Sequence, residues 1–213
     1  MASSLRLDWA GISLQLHADH SIEWPSGELL IADVHLGKAM HFRKHGLGVP
    51  QAIAEAELQR LNDLLEAHPT RKLIILGDLF HSAPNAEWDM FLQWLENHPD
   101  LEVLVVLGNH DAHLKKPLHP RMQIAAQWAL NGIQLQHQPE ETEDVAIICG
   151  HIHPAYRLKG RGKQSLTLPC FFISRHTLIL PAFGRFTGKH ILQPMAGQKV
   201  AISSGKQLQL LEF

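Results

Sequence analysis

The chain has 213 residues, 45% of them hydrophobic, and no Pro/Gly/Ser-rich linker divides it, so we expect a single domain spanning residues 1–213. A formal net charge of −2 argues against a bulk electrostatic grip on nucleic acid, although it leaves room for a local basic surface. Two cysteines exclude a disulfide framework. The sequence shows no signal peptide and no apolar run of membrane-spanning length, which predicts a cytoplasmic protein with no membrane partner.

The first half of the chain predicts alternating strands and helices. Hydrophobic periodicity places strands at residues 5–16, 21–24, 28–32, 72–76 and 101–107, and amphipathic helices at residues 50–68 and 85–97. This alternation implies right-handed crossovers and a largely parallel sheet.

The second half predicts short strands separated by turn residues. These strands are expected at residues 122–130, 133–137, 145–149, 165–174, 177–180, 199–204 and 207–211. Antiparallel strands that follow an alternating strand and helix pattern suggest a second sheet packed on the first. The basic stretch at residues 157–163 is interpreted as a loop tip or as part of a basic surface.

Seven side chains of metal-binding type follow the apolar runs in five short segments. They are Asp33, His35, Asp78, Asn109, His137, His151 and His153. Ligands of open α/β sheets bind outside the carboxyl ends of the strands, so the five segments predict one metal site. Mixed oxygen and nitrogen donors favour Mn, Fe, Zn or Co, and the lack of cysteine among them argues against a structural thiolate zinc site.

Each segment alone is weak evidence, because Asp33 and His35 could be a turn aspartate and an exposed histidine. His137, in QLQHQP, could be an ordinary residue at a strand end. The joint pattern of five segments favours the metal interpretation.

The same residues suggest hydrolysis of phosphate esters. Asp78 has two carboxylate oxygens and is suited to bridge two divalent metal ions, which would activate a water between them and neutralise charge on the phosphate. His110 is the candidate general acid, and Asp111 beside it is the candidate residue that orients its ring.

The segments DVH, GD, GNHD and GHIH, in this order with a histidine between the last two, resemble the calcineurin-like metallophosphoesterase superfamily. The resemblance implies a four-layer α/β/β/α sandwich of two mixed sheets with helices on the outer faces. It also implies two divalent ions, with Mn²⁺ favoured. Position by position, it assigns one ion to Asp33, His35, Asp78 and His153, and the other to Asp78, Asn109, His137 and His151.

The segments ADVHLGKAMHFRKHGLGVP and LPAFGRFTG resemble the bacterial ligase-associated DNA damage response endonuclease family, which implies a DNA substrate and association with a DNA ligase or helicase. GDLFH is similar to the nuclease subunit of the double-strand-break repair complex and implies that His81 handles the phosphate. The chain lacks that enzyme's capping domain, so DNA recognition would fall to loops carrying Lys38, Arg43 and Arg185.

The leading hypothesis is therefore a metal-dependent phosphodiesterase that acts as a DNA repair endonuclease. The alternative is a phosphodiesterase or phosphatase of small nucleotides or pyrophosphate esters, which would use the same residues. A non-catalytic scaffold is disfavoured because His110 and all seven candidate ligands are present. The sequence leaves the native metal and the oligomeric state open.

Overall fold

Two mixed β-sheets face each other across a shared apolar core in the computed structural model, which describes residues 3–38, 52–140, 144–162 and 164–213. The first sheet contains seven strands that lie side by side in chain order: β1 (Ser4–Trp9), β2 (Ile12–His17), β3 (Ile22–Glu23), β4 (Leu29–Ile31), β5 (Lys72–Leu76), β6 (Glu102–Val106) and β7 (Met122–Ala125). Strands β1 to β4 pair antiparallel, whereas β4 to β7 pair parallel.

The second sheet is built from nine strands: β8 (Trp128–Leu130), β9 (Ile133–Leu135), β10 (Ile147–Cys149), β11 (Pro154–Lys159), β12 (Ser165–Ile173), β13 (Thr177–Ile179), β14 (His190–Ile191), β15 (Lys199–Ser203) and β16 (Leu208–Glu212). Their order is β14-β11-β12-β13-β10-β9-β8, and β15 joins β12 and carries β16. Strands β9, β10 and β13 are parallel, so this sheet is mixed rather than antiparallel as expected from the sequence.

Among the described residues, two α-helices, α1 (Ala52–Ala67) and α2 (Ala86–Glu96), pack on the outer face of the first sheet. Helix α2 begins where the side-chain oxygen of Asn85 accepts the backbone N–H of Glu87 at 2.9 Å, which satisfies one of the unpaired donors of the first turn. A short 3-10 helix covers His110–His113. None of the described helices is both long and apolar enough to cross a membrane.

The period-two pattern of β5 explains how the layers stack. Ile74 and Leu76 face the second sheet in the central core, while Leu73 and Ile75 face the helices and contribute to the same cluster as Leu61 of α1. Strands buried on both faces read as continuous apolar runs, as β5 does. The α/β class with two mixed sheets, which the family resemblance implied, is thus confirmed.

Three predicted elements are corrected. The strand expected at 5–16 is a hairpin that turns at Ala10 and Gly11, both with positive φ. The strand expected at 122–130 is two strands, β7 in the first sheet and β8 in the second. The basic stretch at 157–163 begins on β11, where Arg157 and Lys159 are exposed and alternate with half-buried residues, as in a strand with one solvated face.

Candidate metal centre

The carboxyl ends of five strands supply most of the candidate ligands. Asp33, Asp78, His137 and His151 each stand two residues past the end of β4, β5, β9 and β10, and Asn109 follows β6. Strands β4, β5 and β6 are parallel neighbours in one sheet, and β9 and β10 are parallel neighbours in the other. Parallel neighbours end at the same edge, so the two sheets aim both sets of side chains at one place.

The candidate ligands form two overlapping groups. In one group, the ligand atoms of Asp33, His35 and His153 lie within 4.8 Å of one another, and in the other those of Asp33, Asp78 and His137 do. In the first group, Oδ1 of Asp33 and Nε2 of His153 are 3.2 Å apart. Six of the seven predicted ligands therefore come together when His151 is included.

Asp78 belongs to the second group and also lies close to the first. Its Oδ2 is 3.5 Å from Nε2 of His137 and 3.7 Å from Nε2 of His35, so one oxygen is close to an imidazole of each group. Its Oδ1 accepts the backbone N–H of His110 at 2.8 Å, which holds the carboxylate in this orientation. One carboxylate oxygen thus lies within 4 Å of an imidazole nitrogen from each group.

His151 connects the two sheets at the centre. Its backbone N–H donates to Oδ2 of Asp33 at 2.9 Å, and its Nδ1 lies 3.1 Å from Nε2 of His137. Nδ1 of His137 donates to the carbonyl of Leu76 at 3.1 Å, so its Nε2 carries the lone pair in the neutral ring. The lone pair thus faces the region between His151 and Asp78.

The backbone at the centre is strained. Left-handed φ angles, which L-residues adopt at a cost of about 1–3 kcal/mol each, occur at five of the candidate ligands. These are Asp33 (55°), His35 (52°), Asp78 (51°), His151 (68°) and His153 (51°). Such strain persists where surrounding structure holds it, and its concentration at one place indicates a functional site.

Buried atoms without hydrogen-bond partners also mark the centre. Oδ1 of Asp33 and both ring nitrogens of His35 are in this state, and an unpartnered buried group costs about 1–3 kcal/mol. Burial, followed by the positive charges of Lys38 and His153, lowers the pKa of His35 to about 2 and keeps its imidazole neutral. A neutral imidazole and a carboxylate with open lone pairs fit a divalent cation, which would satisfy both.

Asn109 stands apart from this set. It is exposed, and its amide oxygen accepts a hydrogen bond from Nε2 of Gln138 at 2.7 Å. It still lies next to the centre along the chain, since the following N–H binds Asp78. Its amide oxygen keeps a second lone pair, so the bond to Gln138 does not exclude a ligand role.

His110 and His81 lie beside the centre. Their rings stack with centroids 4.6 Å apart, and the His110 ring is 5.2 Å from that of His35. Nδ1 of His110 donates to the backbone carbonyl of His81 at 3.2 Å. His110 is exposed, so its remaining ring nitrogen can meet a substrate.

Asp111 does not make the contact expected from the sequence. Its Oδ2 accepts the backbone N–H of Gly108 at 2.9 Å and its Oδ1 that of Phe80 at 3.2 Å. The carbonyl of His81, rather than this carboxylate, faces the ring of His110. Asp111 therefore ties together the segments that follow β5 and β6, and its link to His110 runs through the backbone.

The three predicted substrate contacts differ in position. Lys38 is half-buried, and burial lowers the pKa of its ammonium group. The carboxylates of Asp78 and Asp33 oppose that shift, so the ammonium group lies in their electrostatic field. Arg43 lies outside the described residues. Arg185 is exposed and donates its backbone N–H to Oε1 of Glu57 at 3.1 Å.

A basic cleft joins Arg185 to the centre. The cleft has a volume of about 190 Å³, and His153 lines it together with Arg60, Arg185 and Lys189. The Arg60 guanidinium lies over the Phe183 ring, 4.2 Å from its centroid, and donates to the carbonyls of Phe183 and Asp19. Three cations thus line one cleft in a chain of negative net charge.

Sequence reasoning missed Arg60, Glu57 and Gln138. Glu57 lies three, four and seven residues before Arg60, Leu61 and Leu64, so all four share one face of the helix. Charged residues on an apolar helical face are the signal that could have revealed Glu57 and Arg60. Gln138 directly follows His137 and gave no such signal.

Comparison with known proteins finds a matching family and similar solved structures. The family model of calcineurin-like phosphoesterases matches residues 29–154, a range that includes every candidate ligand. The crystal structure of Pseudomonas putida nuclease MPE is similar at 32% sequence identity and a TM-score of 0.81, covering 98% of this chain and 100% of that chain. None of the curated proteins matches the chain significantly.

Proposed function

We propose that this chain, which belongs to the calcineurin-like phosphoesterase family, is a DNA endonuclease working with two divalent metal ions. Membership of this family establishes the general activity of the chain, which is hydrolysis of phosphoester bonds. The observation that carries the proposal is the position of Asp78, whose Oδ2 lies within 4 Å of a nitrogen from each ligand group.

The proposed ligand sets divide at Asp78. Asp33, His35, Asp78 and His153 would hold one ion, and Asp78, Asn109, His137 and His151 the other. Mn²⁺ suits these oxygen and nitrogen donors, as do Fe, Zn and Co. When bound, the two ions would lower the pKa of a water between them and offset charge on the phosphate.

His110 would donate a proton to the leaving oxygen. The carbonyl of His81 holds its Nδ1–H, which leaves the opposite nitrogen as the donor toward substrate. The ring of His81, stacked on His110 at 4.6 Å, would contact the same phosphate. Asp111 is a positioning residue that keeps the His110 backbone beside Asp78 through its bonds to Gly108 and Phe80.

A DNA substrate is supported by the basic cleft. Arg60, Arg185 and Lys189 line the cleft that begins at His153. A DNA strand bound at the centre would therefore place its neighbouring phosphates beside these positive charges. Lys38 lies in the electrostatic field of Asp78 and Asp33 and adds a further positive charge near the centre. The nuclease named among the similar structures agrees with this choice over small nucleotides.

A role in DNA repair, association with a DNA ligase or helicase, and a cytoplasmic location remain predictions from the sequence. Co-purification with a tagged ligase or helicase, with and without DNA, tests the partner prediction directly.

A substrate panel tests the proposed function. The metal-free protein, reloaded with Mn²⁺, is assayed on single-stranded DNA, duplex DNA, RNA, cyclic nucleotides and dinucleoside polyphosphates, and His110→Ala serves as the control for contaminating nucleases. Internal cleavage of DNA that disappears in His110→Ala supports the proposal. Cleavage confined to the small substrates would contradict the DNA assignment and favour the small-nucleotide alternative.

A further inference from the structure

We propose that His17, Glu23 and His68 form a second transition-metal site, separate from the candidate centre, with Asp19 as its fourth donor. The ligand atoms of the first three residues lie within 4.8 Å of one another. None of the four belongs to the seven candidate ligands. The set of two imidazoles and two carboxylates matches the donors that Zn²⁺ accepts in tetrahedral sites.

The contacts between these side chains are short. Nε2 of His17 lies 3.3 Å from Oε2 of Glu23, and Nε2 of His68 lies 2.7 Å from Oδ2 of Asp19. The two imidazole rings have centroids 3.9 Å apart and are tilted by 38°. Two imidazoles and two carboxylates therefore meet in one cluster, with the donor types of a tetrahedral zinc site.

The cluster joins elements that are distant in the chain. His17 ends β2, Asp19 lies in the turn that follows, and Glu23 ends β3. His68 comes directly after α1, at the negative end of the helix dipole, where a cation is favoured. A bound ion would cross-link the β2–β3 hairpin to the end of this helix.

The competing account is a metal-free network in which His68 and Asp19 form an ion pair. Such a pair also occurs elsewhere in the chain: Nε2 of His119 lies 2.8 Å from Oε1 of Glu96. His119→Gln is therefore a matched control, because it removes a histidine–carboxylate pair of similar length outside the proposed cluster.

The test measures bound metal. Wild type, His68→Gln, Glu23→Gln and His119→Gln are loaded with Zn²⁺, freed of unbound metal by gel filtration and analysed by elemental mass spectrometry. We expect His68→Gln and Glu23→Gln to carry one equivalent less than wild type, and His119→Gln to carry the same amount. Glu23 is exposed, so its substitution leaves the fold intact even if His68→Gln does not.

An Asp78→Asn background separates this site from the candidate centre. The expected result is that one equivalent of Zn²⁺ persists in Asp78→Asn and is lost when Glu23→Gln is added. Equal metal content in wild type and Glu23→Gln, or no metal in Asp78→Asn that depends on Glu23, would overturn the proposal. Either result is independent of whether DNA is cleaved.

Discussion

A β-carbon on Gly77 would lie 2.0 Å from Nδ1 of His137, so the missing side chain at the end of β5 is what admits the imidazole from the opposite sheet. Gly77 also has φ of +81°, which L side chains rarely adopt. We predict that Gly77→Ala displaces His137, lowers metal content and hydrolytic activity, and costs more than about 1 kcal/mol of unfolding free energy. Metal analysis, hydrolysis of an aryl phosphodiester and urea unfolding measure the three effects.

Gly132→Ala is the matched control for Gly77→Ala. Gly132 has the same φ of +81°, but a β-carbon there would meet nothing within 4 Å. We expect this variant to lose some stability from backbone strain while it keeps its metal and its activity. Equal metal loss in both variants would mean that strain alone, rather than contact with His137, accounts for the result.

A second prediction concerns His110. If it donates a proton to the leaving group, His110→Ala should lower kcat by about 10²- to 10⁴-fold while leaving the bound metal unchanged. His81→Ala removes the neighbouring ring at 4.6 Å and should raise KM more than it lowers kcat, because its proposed role is to contact the phosphate. An unchanged kcat in His110→Ala would contradict the proposal that His110 is the general acid.

The leaving group offers a check on that prediction. A nitrophenolate leaves without protonation, whereas a DNA 3′ or 5′ oxygen needs a proton. The loss in His110→Ala should therefore be smaller on an aryl phosphodiester than on DNA. An equal loss on both substrates would point to a structural effect of losing the ring, such as the loss of its stacking on His81.

Strand β5 could be predicted to the residue because an unbroken apolar run ends at a glycine, and both of its faces are buried. The β1–β2 hairpin could not, because its turn uses Ala10 and Gly11 in place of the asparagine–glycine or aspartate–glycine pairs that mark such turns. The change of sheet between β7 and β8 occurs at Ala126 and Gln127, which carry no turn signal either.

The candidate site was predictable where it depends on strand ends and was not where it depends on long-range approach. Asp33 and Asp78 follow apolar runs that any parallel sheet would bring to one edge. The donor to the carbonyl of Phe183 comes instead from Arg60, 123 residues earlier on a helix. The contacts of Asp111 with Gly108 and Phe80 likewise depend on how two loops meet after folding.

A third prediction tests the basic cleft. Arg185→Ala should weaken DNA binding across all sequences and reduce the slope of log K against log salt by about 1, since one phosphate contact is lost. Hydrolysis of a small aryl phosphodiester should not change. Arg157→Ala removes the same charge from an exposed position on β11 and should leave the salt slope as it is. A slope that falls equally in both variants would show that net charge matters more than the cleft.

A fourth prediction concerns metal removal. Chelation leaves Oδ1 of Asp33 and the His35 ring nitrogens without hydrogen-bond partners. It also leaves the carboxylates of Asp33 and Asp78 without a bound cation on a strained backbone. Added Mn²⁺ should therefore stabilise the chelated protein, by about 2.7 kcal/mol at a hundredfold excess over the dissociation constant. Thermal unfolding over a range of Mn²⁺ concentrations measures this, and an unchanged Tm would contradict a site formed by these ligands. Asp78→Asn should abolish most of the shift.

The last prediction is a pH dependence of stability caused by His20. Burial, and then the charge of Arg60, lowers the pKa of this histidine from 6.5 to about 4, while its Nδ1 donates to the carbonyl of Ala182 at 2.8 Å. Between these two pH values, the histidine is protonated in the unfolded chain but neutral in the folded chain. The free energy of unfolding therefore falls as the pH drops from 6.5 to about 4, and the loss is complete below that pH. The shift corresponds to about 3 kcal/mol.

His20→Asn isolates this contribution, because asparagine tolerates the φ of 82° at this position. Urea unfolding near pH 7 and near pH 4.5 should show that wild type loses more stability than the variant, by up to about 3 kcal/mol. His113→Asn, the same substitution at an exposed histidine, should follow wild type. If the pH dependence of His20→Asn also equals that of wild type, then His20 is protonated in the folded protein as readily as in the unfolded chain. In that case the buried bond to Ala182 survives protonation, since Nδ1 donates in both forms of the ring.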